Sequence, residues 1–135
     1  MSLRSHQLRK PPVYVTDIDY ERLSRFAASG DTLGARLLGD ELARATVLTE
    51  KALRRPVVRL YSVVEFADLM TGRTRTVQIV PPDEADIDRN RLSVLSPVGA
   101  SLIGLPAGES MGLRTEDGRI HVLRVISVEP AREPA

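Results

Sequence analysis

The amino-acid sequence predicts an α+β fold, in which a short N-terminal antiparallel helical hairpin precedes a twisted antiparallel sheet wrapped on one short helix. Between residues 13 and 50 the apolar residues recur at three- and four-residue spacings, the period of helices. Beyond Pro56 the spacing changes to that of strands, interrupted by turn residues. With 42% apolar and 27% charged residues, the 135-residue chain has the composition of a globular protein. We therefore assign residues 13–50 to a coiled-coil-like hairpin and residues 56–130 to a β-rich domain.

The first helix is expected to begin at Thr16, which is a good capping residue. Asp17 and Asp19 follow in the first turn, where they face the positive end of the helix dipole. The apolar stripe of this helix consists of Ile18, Leu23, Phe26 and Ala27.

The break at Ser29-Gly30-Asp31 ends the first helix, and Asp31 or Thr32 can cap a second one. The apolar face of the second helix consists of Leu37, Leu38, Leu42, Ala45 and Leu48. Because the break is short, the helices are expected to fold back on each other as a hairpin. At 1.5 Å per residue each arm extends roughly 20 Å.

Residues 51–56 form a basic linker, and Pro56 forbids continuation of the helix. A short helix is expected over residues 97–103, because Ser96 and Pro97 are a favoured helix start and Gly104 a favoured helix end. An acidic loop covers residues 81–90. The predicted strands are residues 57–60, 63–69, 74–80, 92–94, 109–115 and 119–128.

The sequence holds no catalytic, metal-binding or cofactor-binding motif that we can identify. His6 and His121 are the two histidines, and neither has a second ligand at metal spacing. The acidic loop imitates a calcium loop, but Arg91 stands where glycine is required and Pro97 where glutamate is required. The glycines match neither a dinucleotide-binding nor a phosphate-binding pattern. The sequence therefore predicts a protein that is not an enzyme and that needs neither metal nor cofactor.

Charge and composition indicate which kinds of partner the protein is expected to bind. The net charge of +1 argues against direct, specific nucleic-acid binding, which relies on neutralising many phosphates. No run of eighteen apolar residues is present, so a membrane span is not predicted, and the absence of cysteine fits a cytoplasmic protein. Arg54 and Arg55 belong to the densest basic cluster. They are either a solvated linker or contacts for an acidic partner surface.

One segment carries a family resemblance. Leu92-Ser-Val-Leu-Ser-Pro-Val-Gly-Ala-Ser-Leu-Ile-Gly-Leu-Pro-Ala-Gly-Glu109 resembles the C-terminal domain of the Gre-type bacterial transcript cleavage factors. The amino-acid sequence of this segment is most similar to that of their short relatives, the regulator of nucleoside diphosphate kinase (Rnk) family. Residues 14–23 and 63–69 support the resemblance. It implies an FKBP-like C-terminal domain behind a short helical hairpin.

The resemblance also implies roles for individual residues. Ser96 and Pro97 match the turn by which Gre-type factors dock on RNA polymerase at the rim of its secondary channel, and Leu95 stands where some members carry an acid. Asp31 lies at the expected hairpin tip, where cleavage factors carry a pair of acids that help to hold a second Mg²⁺. A single carboxylate is a poor substitute for that pair.

The resemblance implies a non-catalytic bacterial transcription regulator that binds RNA polymerase near the secondary channel and competes with Gre-type factors, as a monomer or weak dimer. The alternative is a protein–protein regulator of nucleoside diphosphate kinase or of another cytosolic enzyme. A third hypothesis is that the protein is a vestigial prolyl isomerase. Two Phe, three Tyr and no Trp can hardly build the aromatic pocket of such an enzyme.

Overall fold

The computed structural model describes residues 10–130, and His6 lies outside this range. The described residues form three α-helices and seven strands. In chain order they are β1 (Tyr14–Thr16), α1 (Asp17–Ala27), α2 (Leu33–Ala43), β2 (Thr46–Leu48), β3 (Val63–Asp68), β4 (Arg73–Val80), β5 (Arg91–Ser93), α3 (Pro97–Leu102), β6 (Ser110–Arg114) and β7 (Ile120–Glu129). The predicted mixed α and β composition, with a helical hairpin ahead of a sheet and a short helix, is confirmed.

Threonine hydroxyls cap both helices of the hairpin. The Thr16 hydroxyl accepts a hydrogen bond from the Asp19 amide at 3.2 Å, as the sequence predicted. At the second helix the cap is Thr32, whose hydroxyl accepts from the Ala35 amide at 3.1 Å, and Asp31 is not the cap. Each helix has eleven residues, or about 16 Å at 1.5 Å per residue, so the arms are shorter than expected.

Two parts of the predicted helical pattern are wrong. The second helix ends at Ala43, and residues 46–48 form β2 instead of a further helical turn. Strand β2 pairs in parallel with β1, in the register Tyr14↔Thr46, and Thr46 donates its amide to the Val13 carbonyl at 2.8 Å. Ile18 is 59% exposed and does not belong to the apolar stripe of α1. Tertiary pairing therefore overrides the helical spacing at the end of the hairpin.

The main sheet has five strands in the order β5-β4-β3-β7-β6. All neighbours are antiparallel except β4 and β5, which run parallel. A bulge in the β3–β7 pairing lies between Glu65 and Phe66, and bulges of this kind bend a strand and increase its twist. The result is the predicted curled, mainly antiparallel sheet.

Residues 57–60 are not the strand that their apolar pattern predicted. Val57, Val58 and Leu60 are buried, but they form a connecting segment that pairs with the turn after α3. Val58 donates its amide to the Leu105 carbonyl at 3.0 Å and accepts from the Gly104 amide at 2.8 Å. A continuous apolar run marks burial here and carries no information on sheet pairing.

The hairpin and the sheet share one apolar core. The largest fully buried side chains come from both parts, and among them are Leu23, Leu38, Ile79, Leu102, Ile103, Leu105 and Leu113. Gly104 ends α3 with φ +82°, and a Cβ there would lie 2.3 Å from Val13 Cγ1, so glycine is required where β1 crosses the helix end. Among residues 10–130, no helix is long and apolar enough to span a membrane.

Candidate functional site

The turn Leu95-Ser96-Pro97 is held by a network of short hydrogen bonds. The Ser96 hydroxyl accepts from the Gly99 amide at 3.0 Å and donates to the Ser93 carbonyl at 2.7 Å. Pro97 occupies the first position of α3, where a missing amide hydrogen costs nothing. The predicted local role of Ser96 and Pro97 as a helix start is therefore confirmed. All three residues of the turn are half-buried, so part of the turn remains accessible.

Helix α2 packs against the backbone of this turn. A Cβ added to Gly34 would lie 1.7 Å from the Leu95 carbonyl oxygen, so the helix and the turn touch backbone to backbone. Gly34, Leu38 and Leu42 are buried along the same side of α2. The hairpin therefore fixes the position of the turn from one side.

An open cavity of about 530 Å³ adjoins the turn. Its floor is apolar, from Phe66, Val98, Leu113 and Leu123, and Val98 directly follows Pro97 in α3. Its rim is polar, from Asp68, Thr71, Arg73, Arg75, Thr115 and His121. Phe66 is the single aromatic side chain among the lining residues apart from the imidazole of His121, and the guanidinium of Arg75 lies 6.0 Å from its ring centre.

The side chains of Asp68 and His121 are hydrogen-bonded to each other at the rim of the cavity. Asp68 Oδ2 lies 2.9 Å from His121 Nδ1. Partial burial raises the pKa of the Asp68 carboxyl, but hydrogen bonds from His121 and from the Met70 amide outweigh it, so the net pKa is lowered. Asp68 is the one hydrogen-bonding partner of the His121 side chain within residues 10–130. This arrangement orients an imidazole at the rim of the cavity. The hydroxyls of the two threonines at the same rim, Thr71 and Thr115, bond to other groups and not to the imidazole.

The other predicted site residues lie apart from this cavity. Asp31 is at the hairpin tip, with 92% of its side chain exposed, and it pairs with Arg36 at 3.4 Å. No cluster of His, Asp or Glu suited to a metal ion occurs in the described part of the chain. Arg54 and Arg55 are exposed and line a different groove. None of the predicted site residues lines the cavity itself: Ser96 and Pro97 directly precede its lining residue Val98, and Asp31 and the two arginines lie elsewhere.

One partly buried ion-pair network was not predicted from the sequence. Arg59 donates from Nε to Asp19 at 2.7 Å and from its terminal nitrogens to both carboxylate oxygens of Glu50 at 2.6 and 3.1 Å. Burial lowers the pKa of the Arg59 guanidinium, but these hydrogen bonds outweigh it and raise the pKa above its ordinary value. The network joins α1 to the connecting segment that leads into the sheet. Sequence reasoning assigned Asp19 to the helix dipole alone, because its partner is 40 positions away.

Two family models together cover almost all described residues. The model of the GreA/GreB transcription elongation factor C-terminal region matches residues 53–130, and the model of the Rnk N-terminus matches residues 11–48. The chain belongs to the Rnk family of Gre-type factors. The family resemblance of the 92–109 segment is thereby confirmed.

Individual relatives agree with this assignment. The Rnk-family chain is 30% identical to the regulator of nucleoside diphosphate kinase of Escherichia coli (strain K12) over 131 residues, which is 95% of this chain and 96% of the relative. It is 38% identical over 93 residues to the transcription inhibitor protein Gfh1 of Thermus aquaticus, covering 67% of this chain and 57% of that protein.

A solved structure supports the fold. The GreA/GreB transcription elongation factor from Nitrosomonas europaea matches with a TM-score of 0.68 and 28% identity. The match covers 88% of this chain and 98% of that structure. The helical hairpin, the sheet and α3 of this Rnk-family chain therefore recur in a Gre-type protein.

Proposed function

We propose that this protein is a cytoplasmic, non-catalytic transcription regulator that binds RNA polymerase near the secondary channel and competes with Gre-type factors. The observation that carries the proposal is that Val98, which directly follows the Ser96-Pro97 turn, lines the open cavity within the region that matches the GreA/GreB model. The turn is pre-organised by its own hydrogen bonds, so docking requires little ordering. Leu95, Ser96 and Pro97 are the proposed docking residues.

The residues that line the cavity are better suited to binding a protein partner than to catalysing a reaction. An apolar floor surrounded by a polar, charged rim is the usual anatomy of a protein interface. Phe66, Val98 and Leu123 offer a place for an apolar side chain, and Arg73 and Arg75 at the rim favour acidic neighbours around it. A prolyl isomerase is not favoured, because the cavity has Phe66 as its one aromatic side chain of the Phe, Tyr and Trp class.

We further propose that residues 56–130 act as an FKBP-like docking domain and residues 13–50 as a short arm in front of it. The shared core and the contact of Gly34 with Leu95 support a fixed angle between arm and docking turn. The protein acts as a monomer or weak dimer in this scheme.

The test is competition for RNA polymerase. Val98→Glu places a charge on the apolar floor, so it should weaken capture of purified polymerase at least about tenfold and should lose competition with a Gre-type factor. Ile87→Glu is the matched control, because Ile87 is 78% exposed in the acidic loop and lies outside the cavity. Both variants must melt near the wild-type temperature. Equal capture of polymerase by wild type and Val98→Glu would place docking elsewhere, and absence of capture by wild type would reject the function.

Regulation of nucleoside diphosphate kinase is the second candidate, supported by the name of the Escherichia coli relative. The same capture assay with purified kinase separates the two. Capture of the kinase with no capture of polymerase would favour this alternative.

A further inference from the structure

A second groove of about 410 Å³ lies between the β1–β2 ribbon and the segment that leads into the sheet. We call it the Arg54 groove. Tyr14 and Leu48 line it from the ribbon, and Leu53, Val57, Arg54 and Arg55 line it from the segment. It shares no lining residue with the cavity beside Pro97, so it is independent of the proposed polymerase-docking surface.

Two uncompensated positive charges border this apolar groove. Arg54 and Arg55 are exposed, and neither forms an ion pair with any residue between 10 and 130. The nearby carboxylate of Glu50 is occupied by the bidentate hydrogen bonds of Arg59. The local acid is therefore already paired, and the two arginines remain available for acids that come from outside.

An open strand edge leads to the groove. Within residues 10–130, strand β2 pairs with β1 on one side and with no strand on the other. The Thr46 amide points to β1, so Val47, the next residue, directs its backbone groups to the open edge. Val47 is 45% exposed, and its neighbour Leu48 lines the groove. The open edge at Val47 is therefore next in the chain to a residue that lines the groove.

We propose that the Arg54 groove binds an extended acidic segment of a partner protein. Backbone hydrogen bonds to Val47 align the segment, an aliphatic side chain packs between Tyr14 and Leu53, and its acidic side chains meet Arg54 and Arg55. The apolar floor decides the class of ligand, because a phosphate or a nucleic-acid backbone would satisfy the arginines but leave Tyr14, Leu48 and Leu53 without contacts.

The probe is a fluorescein-labelled octapeptide of alternating aspartate and leucine, titrated with the full chain near physiological salt. Binding is followed by fluorescence anisotropy. Arg54→Glu combined with Arg55→Glu should weaken binding about tenfold, because two ion pairs are replaced by repulsion. Leu53→Ala should weaken it severalfold without any change of charge. The matched control is Arg114→Glu with Arg119→Glu, which makes the same change of charge at exposed positions outside the Arg54 groove and the cavity beside Pro97, and which should leave the peptide affinity unchanged.

Each outcome decides for or against the proposal. Loss of binding in the Arg54/Arg55 and Leu53 variants, with the Arg114/Arg119 variant unaffected, supports an acidic-segment site. Equal weakening in both double variants would show general charge attraction and reject the site. Displacement of the octapeptide by inorganic phosphate at similar concentration would indicate an anion site and reject a peptide ligand. Absence of binding by the wild type would also overturn the proposal. Thermal melting of each variant confirms that the fold is retained.

Discussion

A Cβ at Gly34 would lie 1.7 Å from the carbonyl oxygen of Leu95, and therefore no residue with a side chain fits at this position without moving the backbone. Gly34 lies in the first turn of α2, and Leu95 begins the turn proposed to dock on polymerase. The contact therefore couples the hairpin to the proposed docking surface through rigid main-chain atoms.

Gly34→Ala should destabilise the protein by about 1–3 kcal/mol, the usual cost of overpacking, although alanine is favoured over glycine in helices. Gly39→Ala is the matched control in the same helix, because a Cβ at Gly39 would meet its nearest neighbour, Ala27 Cβ, at 4.0 Å. It should stabilise the protein by up to about 1 kcal/mol. Urea unfolding of both variants measures the difference. A stabilising effect in both would mean that the hairpin can shift away from the turn at little cost.

The Asp19–Arg59 pair should contribute more to stability than an exposed pair on the same helix. Asp19→Ala removes a charge-assisted hydrogen bond of 2.7 Å from a buried carboxylate and should cost about 1.5–3 kcal/mol. Glu21→Ala breaks the Glu21–Arg25 pair, in which both side chains are 73% exposed, and should cost less than about 0.5 kcal/mol. Thermal unfolding of the two variants makes the comparison. Equal losses would show that Glu50 alone satisfies Arg59.

The parts of the fold that depend on residues close together in the chain could be predicted from the sequence. Thr16 and Ser96 begin helices because their hydroxyls reach backbone amides three positions ahead. Strands β1 and β2 could not be predicted in this way, because Tyr14 pairs with Thr46 across both intervening helices, and Leu48 continues the helical spacing of α2. Residues 57–60 were misassigned because burial against the turn after α3 produces the same apolar run as a strand.

The candidate site was predictable only at its turn. Ser96 and Pro97 stand next to each other in the chain, so their motif is visible. The cavity beside them combines side chains of four strands and α3, and the Asp68–His121 pair joins residues 53 positions apart. Contacts between residues so far apart in the chain depend on the order of the strands in the sheet. The spacing of apolar residues does not reveal that order.

The stability contributed by Glu41 should fall as the pH rises. Burial raises the pKa of the Glu41 carboxyl above its ordinary 4.5, although the charge and hydrogen bond of Arg44 act in the opposite direction. Because the folded state holds this proton more tightly than the unfolded state, the contribution is complete below 4.5 and is lost as the pH rises through the folded pKa.

Glu41→Gln removes this titration. The difference in unfolding free energy between wild type and Glu41→Gln should therefore shift against the wild type as the pH rises above 4.5. Glu21→Gln makes the same chemical change at an exposed position and serves as the control. The opposite trend would mean that Arg44, at 2.6 Å from the carboxylate, outweighs burial and lowers the Glu41 pKa.

The protein should not stimulate transcript cleavage by RNA polymerase, for two independent reasons. Each helix of the hairpin spans eleven residues, about 16 Å, which is much shorter than the long coiled coil of a cleavage factor. The tip offers Asp31 alone, and a hard cation such as Mg²⁺ prefers several oxygen ligands. Gly30→Asp supplies a second acid without a clash, since no atom lies within 4 Å of a Cβ there, and it spares Thr32, whose hydroxyl caps α2. If the length of the hairpin is the limiting property, neither wild type nor Gly30→Asp should shorten the labelled RNA of a backtracked elongation complex. Cleavage by the wild type would overturn the non-catalytic function, whereas cleavage by Gly30→Asp alone would show that charge and not length is the missing property.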